Sequence, residues 1–152
     1  SIVIEEHDDI YLILTGNINS NYKNILKRID ELGVYNKIKH LGSISYEELL
    51  YVYKMSIMLV MPTLFESVST PIYELFFLKA PVCASNVEDL TEQVSGSGIL
   101  FDPNDSYDIS KKISILLNNE NIRNEKKLEF ENISNFNHKE YKDKLMDVLN
   151  QS

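Results

Sequence analysis

The segment IMLVMPTLFESVSTPIYELFFLKAPVCAS (residues 57–85) contains a β-α-β pattern near the middle of the chain. The apolar run at 57–61 is too short for a helix and is typical of a strand covered on both faces. A second strand candidate follows at 81–85. Between them, Pro71 suits the first position of a helix, because a proline there lacks only an N–H that would be unpaired anyway. The segment therefore predicts two neighbouring strands of a parallel α/β sheet.

The same alternation of short apolar runs and helical periodicity continues on both sides of this segment. Three more apolar runs predict strands, at 10–14, 37–41 and 98–101. Helical periodicity predicts helices at 21–33 and 45–54. Gly33 would end the first of these helices, and Ser45 and Glu48 have the spacing of a capping box at the start of the second.

The order of these elements predicts one partial domain over residues 1–152. We expect the end of a helix at 1–9, a β/α core at 10–104 and helices at 105–152, the last of them around 141–149. The fold class is α/β, with a parallel β-sheet flanked by helices and a helical C-terminal tail.

Composition excludes several classes of function. The chain has 152 residues, is 43% hydrophobic and carries a formal net charge of -8 without a basic cluster, so no nucleic-acid partner is expected. No apolar run approaches the roughly 20 residues of a transmembrane helix and no signal peptide is evident, which predicts a cytoplasmic protein. The single cysteine, Cys83, resembles a small buried hydrophobe, and the three histidines are scattered, so no metal site is expected.

Two glutamates in the central segment are candidates for chemistry. With Thr70 as N-cap and Pro71 as the first helical residue, Glu66 lies in the loop after a strand and Glu74 in the first turn of the helix. Glu74 is the only ionisable group in the apolar stretch 72–78, so we expect a buried carboxylate that needs hydrogen-bond donors. A ligand is favoured over a structural partner such as a lysine.

The loop between the acids offers a further kind of contact. Ser67 to Thr70 would present backbone N–H groups and hydroxyls at a helix N-terminus, which suits a sugar or nucleotide phosphate. The chain has no P-loop, no G-x-S-x-G elbow and no D-x-D pair, so the corresponding hydrolases and metal-dependent enzymes lose support.

The sequence from His40 to Asp105 resembles the donor-binding half of retaining glycosyltransferases with the GT-B fold, the group called family 4 or group 1. Glu66 and Glu74 match the E-x7-E pair of that family, with Pro71 between them. Glu92 matches the acid of its "lpE" helix, and the segment 98–103 matches its "G-l-l-f-d-P" turn. The resemblance implies a Rossmann-like parallel β-sheet, the C-terminal half of a GT-B fold.

This resemblance implies roles for the residues of the central segment. Glu66 would be the catalytic contact to hydroxyls of the donor sugar, and Glu74 would bind the ribose of the nucleotide. The N–H groups of Val68, Ser69 and Thr70 would hold the diphosphate, and no metal or other cofactor is implied. Three residues of two other loops would border the nucleobase: Thr15, Gly16 and Gly42.

The chain departs from the family pattern at several points. Ser67 and Ser69 stand where the family often has glycine, and we expect Ala80 to replace the glycine of its G-x-P-V pattern. The strand, arginine and lysine that open the family's donor domain, and the acceptor-binding N-terminal domain, are not in this sequence.

The resemblance implies an N-terminally truncated donor-binding domain that does not catalyse transfer by itself. The parent would move a hexose from a UDP- or GDP-sugar to a glycan or lipid-linked acceptor, in bacterial surface polysaccharide synthesis. It would be cytoplasmic, attached peripherally to the inner face of the membrane. Two alternatives stay open: another GT-B enzyme, such as a sugar-nucleotide epimerase, and a degenerate GT-B module without catalysis.

Overall fold

The structure is a computed structural model that describes residues 2–17, 22–94 and 96–126. All strands within these ranges pair in parallel. They are β1 (Leu12–Leu14), β2 (Ile38–His40), β3 (Leu59–Met61), β4 (Val82–Ser85) and β5 (Ile99–Phe101). Each lies inside a run predicted from the sequence, so the predicted strands are confirmed. The helix expected around 141–149 lies outside the described residues.

One helix precedes β1, and a helix follows each strand along the chain. They are α1 (Ile2–Glu6), α2 (Tyr22–Glu31), α3 (Tyr46–Met55), α4 (Thr70–Phe77), α5 (Glu88–Val94) and α6 (Ser106–Asn118), with a 3-10 turn at Tyr35–Lys37. Residues 120–126 are also helical.

The described strands form two sheets, ordered β1-β2 and β3-β4-β5. Leu12 pairs with Ile38 in the first sheet, and Leu59 pairs with Val82 in the second. Contacts divide the chain into two compact units, Ser1–Met55 and Ser56–Ser152. The division expected from the sequence, with boundaries after residues 9 and 104, stays a prediction.

In the first unit, α2 and α3 have the end signals expected from the sequence. Gly33, at a φ of 65°, ends α2 by donating its N–H to the carbonyl of Asp30 at 2.9 Å. At the start of α3, the Ser45 N–H donates to the Glu48 carboxylate at 2.7 Å, and the Glu48 N–H donates to the Ser45 hydroxyl at 3.2 Å. Hydrogen bonding of the Glu48 carboxylate to the backbone N–H of Ser45, and to the Ser45 side chain, lowers the pKa of Glu48. The predicted capping box is confirmed.

In the second unit, β4 supplies the centre of the core. All of its residues are buried, and the side chain of Cys83 packs with Phe101 and Leu116. Burial raises the pKa of Cys83 to about 12, because the thiolate would lose its hydration there. The prediction that this cysteine is a buried hydrophobe is confirmed.

Gly98 lies beside β4 at a point where no side chain fits. A Cβ atom on this residue would lie 2.8 Å from the carbonyl oxygen of Val82 and 2.6 Å from Cγ1 of Val94. The close approach of β5 to β4 therefore requires glycine for steric reasons.

The backbone at the C-terminus of α4 shows which residue takes the place of the glycine in the G-x-P-V pattern. Lys79 has a φ of 56° and donates its N–H to the Phe76 carbonyl at 2.9 Å, while Ala80 donates to the Leu75 carbonyl at 2.9 Å. These two bonds form a Schellman motif with Lys79 in the left-handed position. The glycine of the G-x-P-V pattern therefore corresponds to Lys79, two residues before Pro81, and its placement at Ala80 was wrong.

Candidate functional site

The start of α4 differs by one residue from the expected position. Ser69 is the N-cap, with an extended backbone (φ −99°, ψ 102°), and its carbonyl accepts a hydrogen bond from the Ile72 N–H at 3.2 Å. Thr70 is the first helical residue and Pro71 the second, so the prediction of Thr70 as N-cap was wrong. Both positions tolerate proline's missing N–H, which is why the sequence did not distinguish them.

This shift places Glu74 beyond the first turn of α4, which contains no acidic residue. The prediction of a first-turn carboxylate was therefore wrong, and the helix dipole gives Glu74 little support because that effect falls off within one turn.

Glu74 is half-buried, so the expectation of a fully buried carboxylate was also wrong. Only one face of α4 is in the core: Leu75 is buried, while Tyr73 and Phe77 on either side are exposed. Among the described residues, the Glu74 carboxylate has no hydrogen-bond or ion-pair partner. A ligand with donor groups could therefore reach it without displacing a protein contact.

Glu66 lies in the loop between β3 and α4 and is half-buried. A local turn fixes the chain just before it: the Thr63 hydroxyl donates to the Phe65 carbonyl at 2.7 Å and accepts from the Phe65 N–H at 3.3 Å. The flanking apolar side chains face solvent, with Phe65 84% and Val68 62% exposed. The loop therefore presents Glu66 at the carboxyl end of β3, where α/β sheets bind ligands.

Gln93 on α5 has a contact with this loop that sequence reasoning missed. Its Oε1 accepts from the Ser69 N–H at 3.0 Å, and its Nε2 donates to the Ser69 carbonyl at 2.5 Å. A contact between residues 24 positions apart leaves no local pattern in the sequence. Its neighbour Glu92, matched to the "lpE" acid, is exposed.

The backbone donors expected to bind phosphate are consequently of two kinds. The N–H of Ser69 is engaged with Gln93, whereas the N–H groups of Val68 and Thr70 have no acceptor among the described residues. Ser67 and Ser69 have no positive φ, so neither position needs glycine here.

The three residues expected near a nucleobase lie together in the first unit, at the carboxyl ends of β1 and β2. Gly16, at a φ of 106°, donates its N–H to the carbonyl of Gly42 at 2.8 Å, and Thr15 is exposed beside it. His40 Nε2 lies 3.0 Å from the Gly16 carbonyl, and its ring lies 4.7 Å from that of Tyr22. Glu66 and Glu74 belong to the second unit.

Over the described ranges, no group of three or more histidine, cysteine, aspartate or glutamate residues could hold a metal ion. In the same part of the chain, no helix has both the length and the apolar character that a membrane span requires.

Parallel strands with helices between them and polar loops at their carboxyl ends are typical of α/β domains that bind nucleotides. A family model for glycosyl transferases group 1 matches residues 1–132, and the chain belongs to this family. The resemblance found in the sequence is confirmed, as is the Rossmann-like α/β fold class.

Three relatives illustrate the match. The O-antigen chain mannosyltransferase B of Escherichia coli is 38% identical over 76 residues, which are 50% of this chain and 20% of that protein. Anabaena HepE, solved with UDP and glucose, has a TM-score of 0.75 at 19% identity, over 87% of this chain and 38% of HepE. The C-terminal domain of a group 1 glycosyl transferase from Francisella tularensis has a TM-score of 0.73 at 18% identity, over 83% of this chain and 68% of that domain.

The chain thus spans well under half of the length of the mannosyltransferase and of HepE. The similarity to the two solved structures shows that the chain shares their fold.

Proposed function

We propose that the protein containing this chain transfers a sugar from a nucleotide-sugar to an acceptor, with retention at the anomeric carbon, and that this chain binds the donor. The observation that carries the proposal is the placement of the E-x7-E pair in a glycosyl transferases group 1 domain. Glu66 is on the loop after β3 and Glu74 on α4, and neither carboxylate has a protein partner among the described residues.

Each acid has its own role in this proposal. Glu66 contacts hydroxyls of the donor sugar near the reacting carbon, and Glu74 accepts hydrogen bonds from the ribose hydroxyls. In the family pattern, Thr15, Gly16 and Gly42 border the nucleobase. These assignments come from the family pattern and agree with the solvent access of the residues, which are exposed or half-buried.

The diphosphate becomes the leaving group, and its negative charge grows as the glycosidic bond breaks. The N–H groups of Val68 and Thr70 donate to it from either side of Ser69, whose own N–H is engaged with Gln93. Fixed donors aimed at a developing charge stabilise a transition state without reorganisation. This proposal uses no metal and no cofactor besides the donor itself.

The relatives suggest the donor and the pathway. HepE was solved with UDP and glucose, which supports a UDP-hexose, and the E. coli relative is an O-antigen chain mannosyltransferase, which supports bacterial surface polysaccharide synthesis. A GDP-hexose is the second donor included in this proposal. In this proposal another domain of the parent binds the glycan or lipid-linked acceptor, and the chain alone does not catalyse transfer. The parent works in the cytoplasm, peripherally at the inner face of the membrane.

A panel of UDP-, GDP- and ADP-sugars tests the proposal on the full-length protein. Mass spectrometry of the products, with and without a glycan or lipid-linked acceptor, should reveal transfer from one donor only when the acceptor is present. Conversion of the donor to its epimer without an acceptor would support the epimerase alternative. A failure of every nucleotide to bind in calorimetric titrations would instead support a module without catalysis.

A further inference from the structure

The Gln93 side chain and the Ser69 backbone are joined by a pair of hydrogen bonds. The carboxamide accepts from the Ser69 N–H at 3.0 Å and donates to the Ser69 carbonyl at 2.5 Å. It therefore satisfies both backbone groups of one residue, as a neighbouring strand would. Ser69 is only 2% exposed, and without Gln93 its N–H would have no acceptor among the described residues, whereas its carbonyl also accepts from the Ile72 N–H at 3.2 Å.

Gln93 lies on α5, whose position is fixed by contacts that do not involve the loop. Leu90 and Val94 of α5 are buried, and the Thr91 hydroxyl donates to the Val87 carbonyl at 2.9 Å in the first turn. Just before α5, the Asn86 N–H donates to the Phe101 carbonyl at 2.7 Å. The position of Gln93 is thus set by the core and not by the loop that it contacts.

The loop has few other anchors at this end. Ser69 is the N-cap of α4, but its hydroxyl makes no capping bond and is buried without a partner among the described residues. The N–H groups of Val68 and Thr70 are without acceptors in the same ranges. The two bonds to Gln93 therefore provide the tertiary hydrogen bonding that the described structure gives to this end of the loop.

We propose that Gln93 is a positioning residue: it holds the end of the loop that carries Glu66 and so sets where the Glu66 carboxylate meets the donor sugar. Glu66 is three residues before Ser69, and the Thr63 turn fixes the other end of this short segment. The inference rests on the proposed function, because it assigns a consequence for the transfer reaction to this contact.

Glu74 should depend little on Gln93. The helix α4 is held by Ile72, Leu75 and Phe76, which are all buried in the core. Loss of the Gln93 bonds therefore frees the loop but leaves α4 in place. Loss of the Gln93 bonds should therefore slow catalysis, which needs Glu66 in this proposal, and leave nucleotide binding, which needs Glu74, nearly unchanged.

Gln93→Met in the full-length protein tests this difference, because methionine keeps the length of the side chain and removes both hydrogen bonds. We expect kcat to fall about tenfold to hundredfold, since a small misplacement of a catalytic group has effects of this size, while the Kd for UDP or GDP changes less than about threefold. Thr91→Val is the matched control: it removes a hydroxyl of the same helix that bonds to the Val87 carbonyl and to Asn86 Oδ1 but not to Ser69, and it should change neither quantity.

A purely structural role would give another pattern. Both kcat and nucleotide binding capacity would then fall together, in proportion to the folded fraction measured by circular dichroism. That result, or a kcat of Gln93→Met within twofold of the wild type, would overturn the positioning role.

Hydrogen exchange on the wild-type protein supplies a test that needs no variant. Resolved by mass spectrometry, the Ser69 amide should exchange at least about tenfold more slowly than those of Val68 and Thr70, because it alone among the three has a protein acceptor. Equal exchange rates at the three amides would contradict the contact between Ser69 and Gln93. This measurement remains decisive if Gln93→Met does not fold, because it uses only the wild type.

The two proposals fail in distinguishable ways. If the wild type transfers no sugar but its Ser69 amide is protected, the proposed function is wrong and Gln93 has only a structural role. If the wild type transfers sugar and Gln93→Met does so equally well, the proposed function stands and the positioning role is wrong.

Discussion

The two glutamates of the E-x7-E pair are supported by different kinds of backbone. Glu66 lies on a loop that is held by the Thr63 turn and by the contact between Ser69 and Gln93. Glu74 lies on a helix whose neighbouring side chain, Leu75, is fully buried. We therefore expect the removal of either carboxylate to affect the donor contact proposed for it, without unfolding the domain.

Glu66→Ala should lower kcat by about a hundredfold or more, because the variant lacks the polar contact that we propose between Glu66 and the reacting sugar. Glu74→Ala should weaken nucleotide binding about tenfold, which corresponds to one charged hydrogen bond to a ribose hydroxyl. Steady-state kinetics of the full-length protein and calorimetric titration with UDP and GDP measure the two effects separately.

Glu120→Ala is the matched control for both variants, since Glu120 is an exposed acid that follows α6 and belongs neither to the loop nor to α4. It should leave kcat and nucleotide binding unchanged. Normal kinetics for both Glu66→Ala and Glu74→Ala would exclude the assignment of the pair.

At the scale of the element, the end of α4 stores backbone strain. Lys79 has the left-handed conformation, at a φ of 56°, that side chains other than glycine adopt at a cost. Lys79→Gly should raise the free energy of unfolding by about 0.5–1 kcal/mol, as the relief of strain exceeds the extra entropy of glycine in the unfolded chain. Urea denaturation followed by circular dichroism measures this difference.

Ala80→Gly is the control for that substitution. Ala80 has no positive φ, so a glycine there only adds unfolded-state entropy and should lower the free energy of unfolding by up to about 1 kcal/mol. A stabilising Ala80→Gly together with a destabilising Lys79→Gly would return the glycine position to Ala80.

Elements with local signals could be predicted from the sequence. The Ser45 and Glu48 box, the Gly33 stop and the strand runs all depend on residues a few positions apart, and all are present. The start of α4 could not be predicted to the residue, because Ser69 and Thr70 are both good caps and the choice is made with Gln93, 24 positions away. The exposure of Glu74 was also missed, since an apolar sequence does not say which face of a helix meets the core.

At the scale of the whole molecule, the buried thiol of Cys83 ties the stability of the core to alkaline pH. Its pKa is raised from 9.0 to about 12 by burial, so the folded state favours the protonated thiol. This contribution is fully present below pH 9 and is lost as the pH rises from 9 to 12, because only the unfolded chain ionises there. The equilibrium constant for folding should fall by up to about tenfold per pH unit in this range.

Cys83→Ala isolates this effect, because lysines and tyrosines also titrate in the same range. Urea midpoints at pH 8 and pH 10 should show a larger drop for the wild type than for Cys83→Ala, whatever their difference at pH 8. The same drop in both proteins would show that burial in the fold does not raise the pKa of the Cys83 thiol.

The positions of the strands, their parallel pairing and the family could be recognised from the sequence. The division of the chain into two units could not. Alternating β and α signals predict parallel pairing, and the E-x7-E context identifies glycosyl transferases group 1. Neither signal reports that contacts divide the chain near Met55. Such a division depends on which side chains meet across long sequence distances, and local periodicity does not encode this.

Lys79 also bears on how such sequences are compared. A search pattern written in letters demands glycine before x-P-V and rejects this chain at that position, although the backbone there makes a left-handed turn of the kind that glycine favours. In this chain the turn is defined by a torsion angle together with two carbonyl acceptors, and not by the residue type. Alignments scored on the angle would keep divergent members that alignments scored on the residue discard.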